Sequence, residues 1–197
     1  MNTPASQTNS TDANADADVI RVTEQWIARA VIGLNLCPFA RAPLAQQRVR
    51  FCVSHADNED ALLDDLCEEL VALQNADPQI CETTLLIHPH VLTEFLDYND
   101  FLGAAETAVQ VLGLEGELQV ASFHPGYQFA DTDADTIENC TNRSPYPILH
   151  LLRESSIERA LESIFDPDEI HRRNIATLRK LGRAGWQALM GNDSGAK

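Results

Sequence analysis

"ETTLLIHPH", residues 82–90, decides the fold class. Its centre, Thr83 to Ile87, is a continuous run of β-branched and apolar residues that stops at His88 and Pro89. A strand that is apolar at successive positions is buried on both faces, as in a sheet covered by helices on either side. Two other stretches read as its partners. "RVRFCVSH" (48–55) alternates Val49, Phe51 and Val53 with other residues and ends at His55, and "ELQVASFHP" (117–125) also runs into His-Pro, at His124 and Pro125.

Helical periods lie between these strands. After the caps Asp57 and Asn58, the residues Leu62, Leu63, Leu66, Leu70 and Leu73 form one apolar face that ends near "NADP". A second stripe, Phe101, Leu102, Ala105, Val109 and Leu112, follows "DYND", where Asp97 or Asn99 can cap. Ahead of the first strand, Val19, Val22, Trp26, Ile27, Ala30, Val31 and Leu34 recur at helical spacing. Behind the third, "PYPILHLLRE" is read as helical, "SSIE" as a capping box for a helix to about residue 164, and "DPDE" as the start of another at Pro167. The expected fold is α/β: a small, mostly parallel three-stranded sheet covered by helices, with a helical C-terminal addition.

Composition bounds the function. The 197 residues suit one domain. Thirty acids against 14 Lys and Arg give a net charge of −16, which repels nucleic acid phosphates and anionic membrane surfaces. Residues 1–18 are almost all small, polar or acidic and are expected to be a disordered tail, followed by a single domain over 19–185 and a flexible end over 186–197. No signal peptide and no apolar run long enough for a bilayer are recognised, so no membrane role is expected. Five widely spaced cysteines without a C-x-x-C pair do not form a disulfide framework, and a cytoplasmic location is expected.

The order of strands and helices has a chemical consequence. If the three strands are parallel, His55, His88 and His124 share the carboxyl edge of the sheet, where open α/β sheets place their sites. An antiparallel third strand would carry His124 to the opposite end. His88, His90 and His124, with Asp97 or Asp100 as an orienting or ligating acid, are the candidate metal ligands or acid/base groups, and a divalent ion such as zinc suits these types. The plainer alternative is that the imidazoles bond backbone carbonyls where the strands end. Cys37, before Pro38, could cap a short helical turn whose dipole lowers its pKa, making it a candidate nucleophile. A buried, inert thiol is the competing reading.

Between the third strand and the next element runs a long polar stretch, "FHPGYQFADTDADTIENCTNRSPYP" (123–147). Irregular segments of this length are usually functional or disordered, and its aromatic residues favour packing. Asn139, Asn142, Arg143 and Ser144, with His150 and Arg153 beyond, could hold a small polar or anionic molecule. Equally, the arginines could pair with Asp131, Asp133, Asp135 and Glu138 in a self-packed loop. The basic residues Arg172, Arg173, Arg179, Lys180 and Arg183 read as a helix face paired with the acidic body, or as a docking surface for an acidic partner.

"GLNLCPFA", "HPHVLTEFLDYNDFL", "SFHPGYQFA" and "NCTNRSPYPILHLLRE" together resemble the bacterial family catalogued as domain of unknown function 1415, over residues 19–164 or beyond. The resemblance implies no activity. The residues themselves suggest an enzyme, a hydrolase or oxidoreductase, acting on a small polar or anionic molecule in a His-rich pocket at the strand ends. A thiol enzyme using Cys37 and a non-catalytic binding or assembly module are the alternatives.

Overall fold

The computed structural model describes residues 10–161 and 167–191. Helix α1 (Ser10–Trp26) continues into a π-helical segment, Ile27–Ile32, and a loop and the short helix α2 (Arg41–Ala45) lead to β1 (Val49–Val53). Then follow α3 (Glu59–Asn75), β2 (Thr83–Ile87), α4 (Phe95–Val111) and β3 (Leu118–Phe123). A long connection with one 3₁₀ turn, Ile137–Thr141, precedes β4 (Ile148–Arg153), α5 (Glu154–Leu161) and α6 (Pro167–Gly191).

The three expected strands are present, and a fourth corrects the expected sheet. "ILHLLR" is β4 rather than a helix, and the sheet is four-stranded and mixed, in the order β1-β2-β4-β3. β1 and β2 pair in parallel, and β4 runs antiparallel to both β2 and β3. A short, nearly continuous apolar run fits a central strand as well as a buried helix, and a strand here supplies β2 and β3 with the hydrogen-bond partners they would otherwise lack. Because β4 opposes both neighbours, β1, β2 and β3 still point the same way, so the ends carrying His55, His88 and His124 do lie along one edge.

Helix α3 begins as its sequence dictates: Asn58 accepts the Ala61 N–H at 3.0 Å. Helix α4 starts earlier than "DYND" suggests, after Glu94, which makes no side-chain cap bond. α5 starts directly at Glu154, leaving Ser155 inside the helix rather than as its cap. Helix α1 begins at Ser10, so residues 10–18, expected to be disordered, are helical; alanines favour the helix and acids favour its N-terminal end. Residues 1–9 lie outside the described residues, as do 162–166 and 192–197. At the other end, Trp186 is buried and Leu189 and Met190 pack against the core, so helix continues through the first part of the expected flexible end.

Two apolar clusters lie on the two faces of the sheet. On one face α3 and α4 pack Leu62, Leu66, Leu70, Tyr98, Phe101 and Ala105 against Leu86, Leu118, Leu149 and Leu151. On the other, Trp26, Ile27 and Ala30 from α1 and its π segment, with Leu178 and Trp186 from α6, meet Leu85, Ile87 and Ile148. Helix α6 breaks at Gly182, whose φ of 67° and ψ of 172° are open to glycine.

Candidate functional site

At the carboxyl edge, the histidines come together and are used by the fold. His88 and His124 flank the buried Tyr98 ring, with centroids 5.7 and 5.0 Å away. His88 Nδ1 bonds the Val91 carbonyl at 3.0 Å, and His124 Nε2 bonds the Leu92 carbonyl at 3.2 Å. These are successive carbonyls of the turn linking β2 to α4, where Leu92 sits at φ 55°, a costly conformation for a bulky residue. His124 Nδ1 also accepts the Gly126 N–H at 2.9 Å, so both of its nitrogens are occupied. Burial lowers the pKa of both rings, His88 to about 4, which keeps them neutral.

The expected metal constellation does not assemble. His90 is exposed beyond Pro89, and Asp97 and Asp100 lie on the solvent side of α4. Among the described residues no group of three or more His, Cys, Asp or Glu side chains could hold a metal ion. His55 is exposed too, and its Nε2 lies 3.0 Å from Asp16 of α1. A polar ring at a strand end has cheap backbone partners within reach, and that plainer option prevails here.

The long connection satisfies itself in the same way. Asn139, fully buried, accepts from Phe129 N and Thr132 Oγ1 and donates to the Asp133 carbonyl. Arg143 donates to the carbonyls of Tyr127 at 3.2 Å and Ala134 at 2.6 Å; Asn142 donates to Ser122 O, and Ser144 to Tyr146 O. Arg153 reaches the carbonyls of Leu73, Ala76 and Cys81, closing the C-terminal end of α3. Neither arginine pairs with the loop acids; two of those pair with α6, Glu138 with Arg179 at 2.6 Å and Asp135 with Arg183. Asn139, Asn142, Arg143, Ser144 and Arg153 thus all make hydrogen bonds within the fold, and of these Arg153 also borders the cavity described next.

A cavity of about 630 Å³ lies elsewhere, towards the amino ends of β1–β3, on the face carrying the π segment. Its floor consists of same-facing register rows. Val49, Thr83, Leu152 and Gln119 lie side by side across the four strands, and Leu85, His150 and Ala121 form the next row, with Phe123 beyond. Trp26, Ile27 and Val31 form one wall, Cys37 to Leu44 a second, and Ser156, Ile157, Arg159 and Ala160 of α5 a third. The π segment supplies part of the first wall, and such insertions are frequent at functional sites. Gly33 permits the turn that ends it, because a Cβ there would lie 2.1 Å from the Arg29 carbonyl oxygen.

Polar groups are sparse in this lining. Arg48 and Glu82 form an ion pair at 3.0 Å, and Arg159 donates to Ser156 Oγ at 3.0 Å. At the floor, His150 Nε2 lies 2.7 Å from Thr83 Oγ1, which in turn donates to the Leu151 carbonyl at 2.6 Å. Burial pushes the His150 pKa down to about 4, so the ring is a neutral polar group in apolar surroundings. Cys37 shares the cavity. The N–H groups of Phe39 and Ala40 lower its pKa as a turn N-terminus should, but burial outweighs them and the net shift is upward. Thus Cys37, His150 and Arg153, singled out in the sequence for different reasons, border one space, whereas Thr83, Arg48 and Glu82 were missed. The signal for Thr83 was available only through its register opposite β4.

A mixed four-stranded sheet with helices on both faces and an apolar cavity opening on one of them defines the class of this chain. A family model described as "Protein of unknown function (DUF1415)" matches residues 18–188, and the chain belongs to that family. Comparison with curated proteins and with solved structures gives no match. No described helix is long and apolar enough to cross a membrane.

Proposed function

We propose that this chain is a small-molecule-binding domain whose ligand has a mainly apolar body and occupies the cavity between the sheet, the π segment and α5. The observation that carries the reading is the cavity floor: the same-facing rows leave about 630 Å³ of apolar-lined space around one neutral histidine. A pocket that is mostly apolar with a few converging polar groups is the usual form of a small-molecule site. An enzyme acting on a small anion through the strand-end histidines draws less support, because His88, His124 and Arg143 bond backbone carbonyls.

Trp26 borders the cavity and is one of two tryptophans. In a Trp186→Phe background, its fluorescence should change saturably on titration with 2-methoxynaphthalene, and the change should vanish in Ala121→Phe, which fills the floor. Binding that persists unchanged in the filled variant refutes this reading.

One observation favours a second reading, thiol chemistry in the same space: Cys37 borders it and receives two backbone N–H groups. That reading requires Cys37 to be alkylated by iodoacetamide faster than an unhindered thiol at pH 7. With burial dominant, slow alkylation is expected.

A further inference from the structure

We infer that the ligand of this cavity carries a neutral hydroxyl, as in a phenol or an alcohol, which donates a hydrogen bond to His150 Nδ1 from an otherwise apolar body. This rests on the cavity reading above and specifies the ligand class. The argument is one of proton accounting. Thr83 Oγ1 has a single proton and two close neighbours, the Leu151 carbonyl oxygen at 2.6 Å and His150 Nε2 at 2.7 Å. A carbonyl oxygen can only accept, so the hydroxyl proton goes to Leu151. Nε2 must then bear the ring proton and donate to Thr83. A neutral imidazole carries one N–H, which leaves Nδ1 as a bare acceptor.

No described residue donates to Nδ1, and the ring belongs to the cavity floor between Leu85 and Ala121. The low pKa of the ring agrees with a group that stays neutral on meeting a neutral donor. An acceptor without a partner among apolar side chains favours any ligand that brings a proton to it. Carboxylates and ethers bring none, and a carboxylate would also set its own lone pairs against Nδ1. An ammonium could donate, but it would lose its water in an apolar site whose one lining carboxylate, Glu82, is already paired with Arg48.

Three ligands of one shape test this by calorimetric titration of the full chain: 2-naphthol, 2-methoxynaphthalene and 2-naphthoate. The expected order is naphthol about tenfold tighter than the methoxy compound, the scale of one well-made hydrogen bond, with naphthoate weakest. In His150→Phe the preference for naphthol over the methoxy compound should fall below about twofold. If that variant does not fold, the ¹⁵N spectrum of wild-type imidazoles gives the same answer: the unprotonated Nδ1 resonance of His150 should move with naphthol and stay put with the methoxy compound. Equal affinity for naphthol and its ether, abolished together by Ala121→Phe, overturns the donor inference and leaves the cavity reading standing. Tightest binding of naphthoate also overturns it. Failure of all three to bind overturns both.

Discussion

Val120 and Ala121 are neighbours in β3 that project to opposite faces of one sheet, and they meet different interiors. Val120 packs with the cluster under α3 and α4, where Leu62, Leu66, Leu70 and Leu151 are fully buried. Ala121 borders the 630 Å³ cavity under the π segment and α5. Two 17-residue helices cover the first face, α3 with a stripe of Leu62, Leu66, Leu70 and Leu73 and α4 with Tyr98, Phe101, Ala105 and Val109. On the second, α1 and α6 bring Trp26, Leu178 and Trp186 to the cluster around Ile87 and Ile148, while the cavity over the amino half of the strands is walled by the π segment, the five-residue α2 with the loop before it, and the eight-residue α5. The difference teaches that interior filling depends on which covering segments reach each part of a face, since the strands are shared.

Substitutions that separate the two faces should give the largest effects. Leu66→Ala should destabilise by about 3–4 kcal/mol in urea unfolding, because a closed core cannot collapse around the void. Leu152→Ala, at the cavity floor, should cost about 1 kcal/mol, since it enlarges a space that already exists. Equal costs would break the comparison.

A pH effect of similar size is expected on the closed face. The unfolded chain protonates His88 near pH 6.5 and the folded chain only near 4, so between these values the unfolded state holds more protons. Stability is therefore complete above about 6.5 and falls as pH drops towards 4, by about 3 kcal/mol for His88. Urea midpoints measured from pH 7 to 4 should show this slope, and a His88→Gln variant, if folded, should show a shallower one.

Adding volume sharpens the contrast. Val120→Phe should cost about 1–3 kcal/mol through overpacking, while Ala121→Phe should be neutral within about 1 kcal/mol. The smallest effect belongs to the exposed pairing of α6 with the long connection: Arg179→Ala should change stability by less than about 1 kcal/mol, and less still at high salt. A larger loss would mean that α6 is held by this charge rather than by the packing of Leu178 and Trp186.

Much of this was legible in the sequence, for particular reasons. Asn58 capping α3, the leucine stripe behind it and the apolar run 83–87 are local signals that the fold obeys. "ILHLLR" was misread because a six-residue apolar run carries no decisive period, and its pairing with residues 83–87 and 118–123 is set by topology. The meeting of His88 and His124 followed from parallel strand direction, but their bonds to Val91 and Leu92 depend on a turn at positive φ that the sequence does not announce. The cavity was illegible because empty space arises from what helices on different segments fail to fill.

The position of β4 also governs how the chain can assemble. It is the last strand to be made and it lies between β2 and β3, so a chain ending before residue 148 has two strand groups with open edges and nothing to join them. Sheet closure must wait for contacts between residues 83–87 and 148–152, far apart in sequence, and such non-local pairing slows folding. During synthesis the first 147 residues are the aggregation-exposed form of this protein, and arrival of the central strand ends that exposure.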